Sequence, residues 1–279
     1  MAERLNEAGT GGDNNPVDQD PPQHQLQPLI NLYSEGQLQK ALDQAGNLLQ
    51  DFPNSPTLYN ILGAANRGLK QFDAAIDSFR QVLRINPDYA EAYSNLGVAL
   101  KDKGDLQAAV DSFKQAIRIM PDYYEAYYNM GNALKENGYP EAAIESYRQA
   151  VQINPDYAEA YDKIGIILKG MRPEKPIPGL PELILELVEK KTYVRPRDIV
   201  AVAVRLLKFD PIIAGVFNRH LANGVEQSLE QTISDLNGVP LLLKLMSVCP
   251  LPDLEMEAVL TSIRSAVLLN ISEVSQTTE

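Results

Sequence analysis

Two asparagines that stand 34 residues apart, Asn95 and Asn129, occupy nearly the same segment, "SNLG" and "YNMG". A side-chain amide carries both hydrogen-bond donors and acceptors. Amides repeated along a surface can therefore hold the backbone of an extended peptide whatever its side chains, which is binding chemistry. The corresponding residues in the flanking segments are Ile61 and Lys163, so the series has at most two members. The alternative is a pair of surface amides retained only because the segment is duplicated.

Cations recur at a second position with the same step of 34 residues: Arg67, Lys101, Lys135 and Lys169. Packed helices lie about 8–10 Å apart, and an extended peptide advances about 3.3 Å per residue. A ligand with an acidic group at every third residue would match this column. The alternative is structural, because a cation in the last turn of a helix is favoured by the helix dipole. Asp102 and Glu136 also stand beside two of these cations.

The residues needed for catalysis or metal binding are scarce. Cys249 is the only cysteine, and His24 and His220 are the only histidines, so no zinc-ligand spacing exists. Carboxylates are abundant, but none form a pair at a recognised catalytic spacing. The sequence therefore predicts no enzyme activity, no cofactor and no metal.

Composition narrows the partners and the compartment. The net charge of −12 opposes broad nucleic-acid binding, which needs many cations against phosphate. No apolar run reaches the roughly 18 residues of a membrane span, and the N-terminus has no apolar signal core. A single cysteine fits a reducing compartment. We expect a cytoplasmic protein that contacts neither nucleic acid nor membrane.

The step of 34 residues extends to the elements that position these side chains. Residues 87–120 and 121–154 are identical at 18 of 34 positions. Asp88 and its equivalents are candidate caps of a first helix, and Gly97 sits where a neighbouring helix must cross closely. Gly104 and Gly138 suit a left-handed helix end. Each copy is predicted to be a helix hairpin whose apolar face is buried only when neighbouring copies stack.

This pattern resembles the tetratricopeptide repeat family. The motif residues of the second copy are Tyr93, Leu96, Gly97, Leu100, Ala109, Phe113, Ala116 and Pro121. The first copy departs from the pattern at Asn66 and Val82. The resemblance implies an all-α solenoid, a right-handed superhelix of helix hairpins, that binds partners on the concave face lined by the first helices. Asn95 and Asn129 would lie there with the cation column, similar to the asparagine ladder in the repeats of O-GlcNAc transferases.

The predicted organisation has three parts. Residues 1–24 form a polar, disordered tail, and residues 25–170 form the solenoid. The solenoid consists of a degenerate repeat at 25–53, repeats at 56–87, 90–121 and 124–155, and a half repeat at 158–170. Residues 171–279 form a helical C-terminal domain, with helices predicted at 181–191, 196–208, 210–221, 224–236, 239–247 and 252–272.

The C-terminal part is similar to the helical region that follows the repeats in bacterial methyltransferases fused to tetratricopeptide repeats. The shared stretch begins with "PIPGLPELILELVEKKTYVRPRD". We therefore predict a non-catalytic scaffold that binds a protein or peptide, with acidic residues in the ligand suggested by the cation column. The alternative is the substrate-docking part of a transferase, similar to the methyltransferases or to O-GlcNAc transferase, whose catalytic domain lies outside this chain.

Overall fold

The computed structural model describes residues 20–190, 196–215 and 239–242, and every regular element within these ranges is a helix. The chain divides into two compact units, Met1–Asp156 and Tyr157–Glu279. This division groups the predicted half repeat with the second unit. The domain boundaries derived from the sequence stay predictions.

Within residues 20–156, the first unit contains eight helices arranged as four hairpins: α1 (Gln23–Ser34), α2 (Leu38–Asp51), α3 (Pro56–Gly68), α4 (Phe72–Ile85), α5 (Ala90–Lys103), α6 (Leu106–Ile119), α7 (Tyr124–Glu136) and α8 (Pro140–Ile153). Each hairpin packs on the next through its second helix: α2 contacts α3, α4 contacts α5 and α6 contacts α7. The predicted hairpins are confirmed. We call α1–α2 the N-terminal hairpin, and α3–α4, α5–α6 and α7–α8 repeats one, two and three.

A glycine on the first helix receives an aromatic ring from the second helix in each of the three repeats. A Cβ atom built on Gly97 would lie 2.7 Å from Cε1 of Phe113, and one built on Gly131 would lie 2.6 Å from Cε1 of Tyr147. Real Cβ atoms do not approach a ring this closely, so the helices could not pack in this way with any larger residue. The close approach predicted from Gly97 is confirmed.

The N-terminal hairpin exchanges the large and the small partner of this contact. Leu29 occupies the position of the glycines, and Ala45 occupies the position of the rings. Both are fully buried in one core cluster. The volume that the repeats place on the second helix is here supplied by the first helix.

One residue with positive φ stands at the same position of every hairpin turn. These residues are Gly36 (φ 74°), Lys70 (φ 61°), Gly104 (φ 97°) and Gly138 (φ 85°). The left-handed ends predicted at Gly104 and Gly138 are confirmed. Lys70 adopts the same conformation although its Cβ makes it unfavourable, which shows that hairpin packing dictates the turn.

The predicted aspartate cap is wrong for α5. The N-cap residue of this helix is Tyr89, one residue after Asp88, and it makes no side-chain capping bond. The amide N–H of Asp88 instead donates to Asn86 Oδ1 at 3.2 Å. Residue types alone therefore misidentify the cap, although the predicted start of the repeat at residue 90 coincides with the start of α5.

An aspartate that precedes α1 contacts the start of α3. The carboxylate of Asp20 accepts hydrogen bonds from the Ser55 hydroxyl and from the Thr57 hydroxyl, the latter at 2.8 Å. The Ser55 Oγ accepts from the Leu58 amide at 3.0 Å and so caps α3. α1 begins at Gln23, two residues inside the segment predicted as a tail.

The second unit contains α9 (Ala158–Gly170), α10 (Leu180–Lys190) and α11 (Pro196–Leu207). α11 contacts both α9 and α10. An apolar cavity of about 430 Å³ lies between residues 176–182, the end of α11 and residues 239–241. The helices predicted at 181–191 and 196–208 are confirmed within one residue, and residues 211–215 and 240–242 are also helical. Predicted helices 224–236 and 252–272 lie outside the described residues.

Candidate functional site

The first helices of the hairpins form the inner layer of the first unit. α1 contacts α3, α3 contacts α5 and α5 contacts α7, whereas consecutive second helices within residues 20–156 form no comparable contact. Helices that come closer on one side of a stack curve it toward that side. The inner surface of this unit therefore belongs to the first helices.

A line of partly exposed side chains runs along each of the inner helices α5 and α7. Most other side chains of α5 are buried, including Ala92, Leu96 and Leu100. Among the residues that remain at least partly exposed, four on each helix follow the spacing i, i+4, i+7 and i+11, which keeps them on one helix face. We call this face, together with the adjacent cations Lys101 and Lys135, the inner stripe: Glu91, Asn95, Val98, Lys101 and Asp102 on α5, and Glu125, Asn129, Asn132, Lys135 and Glu136 on α7.

The two predicted amides both lie on the inner stripe, but they differ in their hydrogen bonds. Asn95 Nδ2 donates to Asn60 Oδ1 at 3.0 Å, and Asn60 is only 8% exposed. One of the Asn95 amide hydrogens is thus used to join α5 to α3. Asn129 is partly exposed and makes no side-chain hydrogen bond to any described residue. Asn129 is therefore the amide that can offer its full hydrogen-bonding capacity to a ligand.

The cation column is interleaved with carboxylates from the following repeat. Arg67 Nε lies 3.9 Å from Asp102 Oδ2, and Lys101 Nζ lies 3.8 Å from Glu136 Oε1. Lys101 Nζ also lies 3.1 Å from Asp102 Oδ1. Lys135 is exposed and forms no ion pair within the described part of the chain. Of the three members of the cation column in the first unit, Lys135 has the charge most available to a ligand.

The fourth predicted cation, Lys169, lies on α9 in the second unit. Its backbone carbonyl accepts a hydrogen bond from Arg172 Nη1 at 3.2 Å. A role for Lys169 in ligand binding stays a prediction.

A polar pair that the sequence analysis missed lies in repeat three. The Tyr147 hydroxyl donates to Asn132 Oδ1 at 2.8 Å. The equivalent residues are Val98 and Phe113 in repeat two, so both partners change together between the two repeats. An alignment of the repeats shows this paired change, so the sequence could have revealed the polar pair. The Tyr128 ring lies 5.6 Å from the Tyr147 ring, centroid to centroid.

The N-terminal end of the inner stripe is acidic. Burial raises the pKa of Tyr89 to about 12, and the nearby carboxylates of Glu91 and Asp20 add to the shift. Tyr89 therefore stays protonated at neutral pH. Lys101 and Lys135 lie about ten residues further along their helices, roughly 15 Å away, beside Asp102 and Glu136. The N-terminal end of the stripe is therefore acidic, whereas its C-terminal end carries both signs of charge.

No group of three or more potential metal ligands is present among the described residues. None of the described helices is both long and apolar enough to cross a bilayer.

Residues 67–157 of the chain are tetratricopeptide repeats. The pattern described as "TPR repeat" matches residues 67–104 and 99–138, and the pattern described as "Tetratricopeptide repeat" matches residues 124–157. The matches include α5–α8 and thus all of the inner stripe. No curated protein sequence matches the chain.

Solved structures with the same fold include PilF from Pseudomonas aeruginosa, at 16% identity and a TM-score of 0.51, over 77% of this chain and 96% of that chain. MamA from Desulfovibrio magneticus matches at 19% identity and a TM-score of 0.49, over 66% of this chain and 90% of that chain. A mutant O-GlcNAc transferase from Thermobaculum terrenum matches at 23% identity and a TM-score of 0.40, over 48% of this chain and 26% of its own. The likeness to PilF is one of fold alone. The likeness to methyltransferases stays a prediction.

Proposed function

We propose that this protein is a non-catalytic scaffold that binds an extended peptide, or an extended segment of a partner protein, along the inner stripe. The proposal starts from the repeats, since tetratricopeptide repeats suggest a protein-interaction scaffold. The observation that carries it is the exposed amide of Asn129, which has no hydrogen bond within the described residues although α7 belongs to a closely packed stack.

The spacing of the stripe suits an extended chain. A peptide of about eight residues is roughly 26 Å long, enough to cross three helices spaced about 8–10 Å apart. Asn95 and Asn129 would contact its backbone, and Arg67, Lys101 and Lys135 are the candidate contacts for its acidic groups. Because Asp102 and Glu136 already face Arg67 and Lys101, acidic groups over those cations would have to displace existing ion pairs.

The ion pairs of the column are partly exposed, with Lys101 at 20% and Glu136 at 52% of full side-chain exposure. Exposed pairs contribute about 0–1 kcal/mol each, so a ligand carboxylate can compete with them. The net charge of −12 opposes long-range attraction of an acidic ligand. We therefore expect the contacts to the peptide backbone to supply most of the affinity. The cations should supply the preference for acidic over neutral peptides.

The test is a fluorescence anisotropy titration of the full chain with two labelled peptides of about eight residues, one alternating Glu with Ser and one alternating Gln with Ser. Replacing Asn129 and Lys135 with alanine should weaken binding of the Glu peptide by about tenfold, since two contacts supply about 1.4 kcal/mol. Adding Asn95→Ala and Lys101→Ala should weaken it further.

The matched control replaces two amides and two cations on the exposed face of α6, namely Gln107, Gln115, Lys114 and Arg118. This variant should bind both peptides as the parent does. Equal affinity of the parent and the inner-stripe variants, or the same loss in the α6 variant, would exclude the inner stripe as the binding surface. Circular dichroism on each variant checks that the helices are retained.

A further inference from the structure

Repeat three differs from the other repeats at two positions that contact each other. Asn132 stands where repeats one and two have Ala64 and Val98, and Tyr147 stands where they have Phe79 and Phe113. The hydrogen bond between Tyr147 and Asn132 joins α8 to α7 inside the hairpin. Repeat three thus has a bonded hydroxyl and amide where the other two repeats have only apolar side chains. The amide lies on the inner stripe.

Tyr147 is buried inside the hairpin, so its hydroxyl can bond only to a neighbouring group. Its side chain is fully buried, and its ring rests against Gly131. Burial raises the pKa of Tyr147, with a further contribution from Tyr128 and Glu136, so the hydroxyl remains protonated and able to donate. A buried donor needs a partner, and Asn132 Oδ1 provides it at 2.8 Å.

This bond determines what Asn132 offers to a ligand. Its amide oxygen accepts from Tyr147, which orients the amide, and its two amide hydrogens donate to no described residue, so they remain for an acceptor on the partly exposed side of α7. Lys135 follows three residues later, which places it on the adjacent turn of the same face. Repeat three alone therefore combines an oriented amide donor with a cation that has no ion pair among the described residues.

We propose that Asn132 and Lys135 together bind one carboxylate of an extended peptide, and that Tyr147 is the positioning residue that orients Asn132. The inference rests on the proposed function and narrows its ligand. Because Arg67 and Lys101 already face carboxylates, the ligand needs one acidic residue, over the C-terminal half of α7, rather than one at every third position.

The other charged residues around α7 are compatible with a ligand carboxylate bound by Asn132 and Lys135. Glu136 lies near Lys101 of the neighbouring helix. Glu125 stands ten residues before Lys135, about 15 Å along the helix axis. The carbonyl end of a helix disfavours an anion, so we expect both the amide and the ammonium group to be required for the site to hold a carboxylate.

The experiment uses the full chain and two labelled peptides of about eight residues, identical except for a single central Glu or Gln in a Ser-Gly background. Asn132→Val and Tyr147→Phe copy the residues of repeat two and so retain packing that the fold already accepts. The parent should prefer the Glu peptide. Asn132→Val should lower its affinity for the Glu peptide by about tenfold, and Tyr147→Phe by about threefold. Lys135→Ala should remove the preference for Glu over Gln.

A double variant separates positioning from packing. If Tyr147 acts through Asn132, Tyr147→Phe should have no further effect on peptide affinity when Asn132→Val is already present. Additive losses would overturn the positioning role. Parent-like affinity of Asn132→Val for the Glu peptide would overturn the carboxylate site while leaving the proposed function intact.

Failure of the parent to bind either peptide would overturn the proposed function and this inference with it. Thermal unfolding of every variant is recorded beside the titrations. Asn132→Ala, which copies repeat one, replaces Asn132→Val if the valine variant does not fold, and the same outcomes then apply.

Discussion

Repeat two and repeat three have closely similar cores, but one position of the inner stripe is apolar in repeat two and polar in repeat three. Leu100 and Leu134, Ala109 and Ala143, and the left-handed glycines at the turns match position by position. The stripe changes from Val98 to Asn132, and the ring beneath it changes from Phe113 to Tyr147. Packing constrains the shared positions, whereas a surface residue can change when its buried neighbour changes with it.

This comparison assigns two roles to one position of the repeat. Phe113 and Tyr147 both fill the space above a glycine, which is a structural role. Only Tyr147 carries a hydroxyl that reaches the inner stripe. The predictions below test each role separately.

The largest expected effect comes from removing the ring. Phe113→Ala and Tyr147→Ala should each lower the free energy of unfolding by about 3–5 kcal/mol, because both leave a ring-sized cavity in a fully buried core. Urea unfolding followed by circular dichroism measures the change, and Lys114→Ala on the surface of α6 is the control. A loss below about 1 kcal/mol at either position would contradict the equivalence of the two rings.

A transplant of the polar pair should have an intermediate effect. Phe113→Tyr buries a hydroxyl beside Val98, whose side chain has no acceptor, so we expect a loss of about 1–3 kcal/mol. Adding Val98→Asn should restore most of the stability by recreating the pair of repeat three. If Phe113→Tyr alone is as stable as the parent, the pairing of Asn132 with Tyr147 is not what retains the hydroxyl.

The smallest expected effect extends the comparison to the turn of repeat one. Lys70→Gly should raise the free energy of unfolding by about 1 kcal/mol, because glycine accepts the φ of 61° without the steric cost of a Cβ atom. Gly104→Ala, at the same position of repeat two, should lower it by a similar amount. Stabilities that change in the same direction for both variants would show that the turns are not equivalent.

The repeat architecture was predictable because the signal occurs several times in the chain. Gly97 and Phe113 recur at matching positions, so the close packing of first and second helices follows from residue size. The turns follow from the glycines at 104 and 138 in the same way. The aspartate cap predicted for α5 is wrong because Asn86, rather than Asp88, provides the local side-chain acceptor. The predicted start of the repeat at residue 90 nevertheless coincides with the start of α5.

The candidate site was predictable only in part. Asn95, Asn129 and the cations were found by their spacing, but spacing does not reveal which of them already have partners. The bonds from Asn95 to Asn60 and from Arg67 to Asp102 both span 35 residues. They depend on how neighbouring hairpins are placed side by side, which is a property of the packed stack and not of any single repeat.

The N-terminal hairpin has Leu29 where the repeats have glycine and Ala45 where they have an aromatic ring. This difference affects which helices can pair while the chain folds. Similar hairpins in one polypeptide offer each helix several wrong partners while the chain folds. Even a single carbon at Gly63 would approach the ring of Phe79 to 2.6 Å, so a leucine there would collide with it. α1, which carries Leu29, cannot take the place of α3 against α4. The mismatch distinguishes the N-terminal hairpin from the three repeats, and steric overlap disfavours a register in which α1 packs on α4.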